Sequence, residues 1–92
     1  MVIERIDLRN GNGLHARPAS GLVREASRFT SDISIRNVSV ATEWVDAKSI
    51  LSILTLGVEN NHTVEIKVEG PDEIEAAHSL VAIVNQFNQK KE

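Results

Sequence analysis

The sequence predicts a two-layer α+β domain with elements in the order β-α-β-β-α-β-α. Three observations carry that prediction. Short segments alternate apolar and polar residues: Val2, Glu4, Ile6 and Leu8 share one strand face, and Val64, Ile66 and Val68 share another. Such alternation leaves one sheet face wet, as in antiparallel sheets. Longer segments instead place apolar residues at helical spacing, first Ala19, Leu22, Val23, Ala26 and Phe29. Near the end Ile74, Ala77, Val81 and Val84, flanked by Leu80 and Phe87, do the same. Turn residues then separate the segments, and helices gathered on the dry face of the sheet make two layers.

Each element follows from its residues. Residues 2–9 form the first strand, and Asn10-Gly11-Asn12-Gly13 a loop. The first helix spans residues 16–28, with Pro18 in its first turn, where the missing N–H costs nothing. Arg24, Glu25 and Arg28 take its outer face. Ile33-Ser34-Ile35-Arg36 is the second strand and residues 38–45 hold the third, folded back as a hairpin. Its register stays open, because Asn37-Val38 lacks the glycine that a two-residue turn favours at its second position. Asp46 caps a short helix over residues 47–56, closed by Gly57. Asn60-Asn61 turns the chain into the fourth strand, with Thr63, Glu65, Lys67 and Glu69 facing out. Gly70-Pro71-Asp72 ends that strand, and Asp72 with Glu75 makes a capping box for the last helix. Residues 89–92 are a polar, fraying tail.

Composition narrows the function. The 92 residues make one domain, 1–92, large enough for a core. With no cysteine there is neither a disulfide framework nor a thiolate metal site. A net charge of −3 and three aromatics, Phe29, Trp44 and Phe87, argue against nucleic-acid binding. No leader precedes the first strand and no apolar run approaches ~18 residues, so a cytoplasmic protein without a membrane span is expected. His62, at a turn, and His78, on a helix flank, have no partners at metal-ligand spacing and are read as ordinary surface residues. Trp44 is read as packing over the sheet edge, the alternative being that it extends a contact surface.

The chemistry gathers in residues 12–20, N-G-L-H-A-R-P-A-S. Pro18 makes His15 the N-cap or its neighbour. A helix start presents unpaired N–H groups and about half a positive charge, which suit an anion. The backbone of Ala16 and Arg17 would supply those groups, and the Arg17 guanidinium a planar fork for phosphate oxygens. A titratable imidazole beside such a site has a ring nitrogen available as nucleophile near neutral pH. Arg24 and Arg28, one turn apart, form a candidate cationic docking face. In the second, shorter helix Ile50, Leu51, Ile53, Leu54 and Leu56 cover most of the circumference, so some must be exposed, as at partner-binding patches.

Gly13-Leu14-His15-Ala16-Arg17-Pro18-Ala19 resembles the active-site signature of the HPr family, the histidine-containing phosphocarriers of the bacterial sugar phosphotransferase system. Asp46-Ala47-Lys48-Ser49-Ile50-Leu51 and the residues on to Gly57 are similar to that family's second signature, a regulatory serine at the start of a short helix. Phe29-Thr30-Ser31-Asp32 and the last strand and helix match as well, so the likeness covers nearly the whole chain. It implies an open-faced β-sandwich with strand order 1-4-2-3, three helices covering one face. His15 would take a phosphoryl group from enzyme I, through Nδ1, and pass it to sugar-specific enzyme II A components. That makes a stoichiometric carrier, monomeric and needing no cofactor or metal, rather than a turnover enzyme. By position Ser49 would be the target of an HPr kinase/phosphorylase and a signal for a catabolite-control regulator, with Ile50, Ile53 and Thr55 as docking contacts. The alternatives are a paralogue of the nitrogen or dihydroxyacetone branch, a binding module acting through phospho-Ser49, and an unrelated ligand-binding domain. Three departures stand out: a hairpin between Ile35 and Asp46 that is longer than usual, Trp44 within it, and no glycine in Glu59-Asn60-Asn61-His62.

Overall fold

Alternation puts every second side chain on one sheet face, and the computed structural model, which describes residues 1–89, turns that pattern into four antiparallel strands. They are β1 (Val2–Asp7), β2 (Asp32–Asn37), β3 (Val45–Asp46) and β4 (Thr63–Glu69), in the spatial order β1-β4-β2-β3. Between them run α1 (Ala16–Ala26) and α2 (Ile50–Leu54), and α3 (Glu73–Gln89) follows β4. Strand β4 lies inside the sheet because both neighbours share its apolar register: Ile6 lies opposite Val64, Ile35 opposite Ile66, and Ile33 opposite Val68. These side chains are buried together with Leu22, Ala26, Ile53, Leu80 and Val84 from the three helices. The result is the two-layer α+β sandwich, open on one face, that the sequence and its resemblance led us to expect.

The open face carries charge in cross-strand register. Arg5 and Arg36 lie opposite Glu65 from either side, and their guanidiniums reach its carboxylate at 2.9 and 2.6 Å. Glu65, expected to face solvent, is 8 % exposed under these two partners. Hydrogen bonds from Arg36 first and Arg5 second hold its carboxyl below the ordinary value. Trp44 lies over the same face, where Arg36 and Lys67 stack on its ring at 4.8 and 4.5 Å.

Several elements differ from expectation. The third strand, placed over residues 38–45, shrinks to Val45–Asp46. Asn37 is the reason. Its buried side chain accepts from the Ser39 amide and starts a single 3-10 turn, Val38–Val40, ended by Ala41 at φ 54°. The chain therefore loops where a strand was expected. Helix α2 starts at Ile50, not residue 47, because Asp46 spends its carboxylate on the Lys48 amide while Ser49 caps the helix. Helix α1 stops two residues short of Arg28, at Ala26, and β1 two short of Arg9, at Asp7. The expected capping box at Asp72 and Glu75 is replaced by another exchange: Glu73 accepts from the Gly70 amide, and Asp72 reaches back to residues 30 and 31. Ile74, assigned to the core stripe, is 66 % exposed, since it sits in the first turn of α3 on the side away from the sheet; Ala76 takes an inward place instead. Apart from Gln89, which ends α3, the expected fraying tail lies outside the described residues.

Candidate functional site

The turn that presents His15 is built by Asn10 and Gly13. Asn10 is buried, and its amide oxygen accepts from the backbone of Asn12 and Gly13 at 3.0 and 2.7 Å while its Nδ2 donates to the Gly13 carbonyl. Gly13 has φ +67°, and a Cβ there would lie 2.1 Å from the Val58 carbonyl oxygen. Only glycine fits so close an approach in the left-handed region. The next residue, Leu14, is buried and donates its amide to the same Val58 oxygen at 3.0 Å. Thus the chain is clamped on both its backbone and an apolar anchor immediately before His15.

His15 is the N-cap of α1, in extended conformation, and its carbonyl accepts the first helical bond from Ala19 at 2.9 Å. Its ring makes no capping bond to the first-turn amides and remains 52 % exposed. Instead, Nε2 lies 3.1 Å from a carboxylate oxygen of Glu59. Pro18 occupies the third helical position, so its absent N–H interrupts nothing. Arg17 is exposed on the same first turn. It borders an open groove of about 580 Å³ with Asn10, Ala16, Pro18, Arg24 and Phe87. The two arginines proposed as a docking face part company here. Arg24 shares the groove with Arg17, whereas Arg28 pairs with Glu25 at 2.6 Å and stacks over Phe29.

Ser49, some thirty positions on in the chain, is the N-cap of α2, its hydroxyl accepting from the Ser52 amide at 3.3 Å. Beyond it Ile50, Leu51 and Leu54 are 38, 73 and 41 % exposed, and Thr55 is exposed too. Ile53 is not. It is fully buried, the one residue of this five-residue helix driven into the core, so it is removed from the docking candidates. Leu51 and Leu54 are the exposed apolar side chains that take its place.

Two features escaped the sequence reading. Glu59 lies 44 positions from His15, and nothing in local spacing links a turn glutamate to that ring. His62, read as an ordinary surface residue, is half-buried and structural: its Nδ1 accepts from the Glu59 amide and lies 3.1 Å from Asn37 Nδ2. The resulting site has an exposed imidazole ring at a helix start, a guanidinium on the same turn, and a carboxylate against one ring nitrogen.

Comparison with known proteins places these features in a family context. The family described as "PTS HPr component phosphorylation site" matches residues 3–86. The multiphosphoryl transfer protein of Vibrio cholerae is 40 % identical over 78 residues, 85 % of this chain and 20 % of that protein. The chain thus spans about a fifth of the length of the multiphosphoryl transfer proteins it matches. The HPr-like protein Crh of Bacillus subtilis is 38 % identical over 94 % of this chain and 98 % of its own. The crystal structure of HPr-C-His from Thermoanaerobacter tengcongensis superposes with a TM-score of 0.91 at 37 % identity, covering 100 % of both chains.

Proposed function

The chain belongs to the HPr phosphocarrier family of the phosphotransferase system, and from that premise we propose that His15 carries the phosphoryl group. The observation that carries this reading is the state of the His15 ring: half exposed at the N-cap of α1 with no capping bond of its own. In the proposed step the Nδ1 lone pair attacks the phosphorus of phosphorylated enzyme I. A P–N bond forms, the bond to the donor atom breaks, and the donor keeps that electron pair. The reverse exchange hands the group to a sugar-specific enzyme II A component. First-turn amides are worth about 0.3–1 kcal/mol to an anion. A solvent-screened arginine–phosphate pair adds a similar amount. Contacts of this size orient the phosphoryl group without trapping it, which suits a stoichiometric carrier whose partners complete the chemistry.

The finer parts of the reading follow. The unit acts as a single domain in the cytoplasm, with Arg17 and the Ala16 and Arg17 backbone steadying the phosphate. Arg24, Ile50, Leu51, Leu54 and Thr55 form the docking face. Phosphorylation of Ser49 by a kinase/phosphorylase would place about −1.5 to −2 charges beside that face and repel acidic partners. A catabolite-control regulator is the reader of that modified state. Crh is described as a catabolite repression HPr, and similarity to it favours a second reading in which this chain acts as a regulatory module through Ser49. One assay separates the two. The protein is incubated with enzyme I and labelled phosphoenolpyruvate. The carrier reading requires an acid-labile, base-stable label that His15→Ala abolishes, and absence of label from the unaltered protein overturns it.

A further inference from the structure

We infer that Glu59 is a positioning residue for His15, holding the ring with its proton on Nε2 and its lone pair on Nδ1. The inference deepens the reading of His15 as acceptor and rests on it. A carboxylate can only accept, so the 3.1 Å approach of Glu59 Oε1 to Nε2 is a hydrogen bond only when Nε2 carries the proton. In the neutral ring that leaves Nδ1 bare, and the partner of one ring nitrogen sets the role of the other. When the Nδ1–P bond forms, no proton has to leave the ring, and Nε2–H keeps its partner throughout.

The contact is built into the fold. The Val58 carbonyl receives the Leu14 amide at 3.0 Å, and the Gly13 backbone is seated against Val58 and Glu59 with no room for a Cβ. On the other side the Glu59 amide donates to His62 Nδ1 at 3.1 Å, the His62 amide returns to the Glu59 carbonyl at 3.0 Å, and the Asn61 amide bonds the Leu8 carbonyl. The turn carrying Glu59 and the loop carrying His15 are therefore one stapled unit. The glutamate leaves its backbone beside the ring without a search by the loop.

Three proteins decide the point: the unaltered chain, Glu59→Gln, which keeps an accepting oxygen, and Glu59→Ala, which does not. Long-range proton–nitrogen NMR of ¹⁵N-labelled rings at alkaline pH reads the tautomer of the neutral His15 ring, with exposed His78 as an internal reference in each sample. Nε2–H enrichment over His78 is expected in the unaltered chain and in Glu59→Gln, and its loss in Glu59→Ala. Phosphoryl transfer from enzyme I should slow about two- to fivefold in Glu59→Ala, the scale of an exposed pair, and recover in Glu59→Gln. A tautomer change without the rate change, or the rate change alone, overturns the proposal, as does neither. Should the unaltered protein accept no phosphoryl group, the carrier reading fails and the positioning role falls with it, whereas the NMR comparison still reports separately on the contact itself.

Discussion

Asp72 precedes α3, yet its carboxylate turns away from that helix to accept from the amides of Thr30 and Ser31, both at 3.0 Å, and from the Ser31 hydroxyl. The Ser31 hydroxyl first, then the Thr30 amide, lower its pKa from 3.8 to about 2. Because the folded-state value is depressed, the stabilisation is fully present above the ordinary value of 3.8 and is lost as pH falls through it toward about 2. Urea denaturation of Asp72→Asn should therefore show its largest deficit against the unaltered chain near neutral pH, and the gap should close as pH approaches that lower value. A gap independent of pH would contradict the charge-based account. The residue scale also marks how far sequence reading reaches. Histidine, arginine and proline sit within four positions, so one local turn determines their arrangement. Asp72 with Ser31, and Glu59 with His15, are pairs that no local spacing brings together.

At the scale of the element, α2 is the instructive case. Its five residues are too few for periodicity to tell the faces apart, and only burial of Ile53 against exposure of Leu51 does so. Its start differs from expectation because Asp46 and Ser49 are both good caps: Asp46 is paired with the Lys48 amide, and Ser49, three positions on, caps the helix. Since aspartate caps as well as serine, Ser49→Asp should leave the helix in place while adding charge beside the docking face. Far-UV circular dichroism should match the unaltered chain, and loss of signal equivalent to this five-residue helix would show that the switch works by unfolding instead. The hairpin before it was the least legible element. Asn37 reads as a strand-end residue, but its burial beneath Leu56 and His62, with its Nδ2 donating to the Leu56 carbonyl at 3.1 Å, bends the chain into a 3-10 turn.

At the scale of the whole molecule, one core joins the sheet to all three helices, so the layers should come apart together. Trp44 offers a test because it is the single tryptophan and rests on Arg36 of β2 and Lys67 of β4, on the face opposite the helices. Its fluorescence follows the sheet, whereas ellipticity at 222 nm follows the helices. Urea unfolding curves from the two probes should superimpose, and separated midpoints would show that one layer survives the other. Burial of Glu65 belongs to this scale as well: an outward position on β4 became a covered one because both neighbouring strands bring an arginine to the same register.

Element order, the inward face of the long strands, most of the inward positions of the long helices, and the shared helix start of His15 and Arg17 were legible from the residues alone. All of these depend on the period of side chains along the backbone and on residues a few positions apart. Tertiary structure alone decided the length of β3, the cap and buried face of α2, the pairing of Glu65 with two arginines, and the carboxylate at the His15 ring. Each needs two segments distant in the chain to meet at a particular register. Periodicity says which side of an element faces in, but only packing says what it meets there.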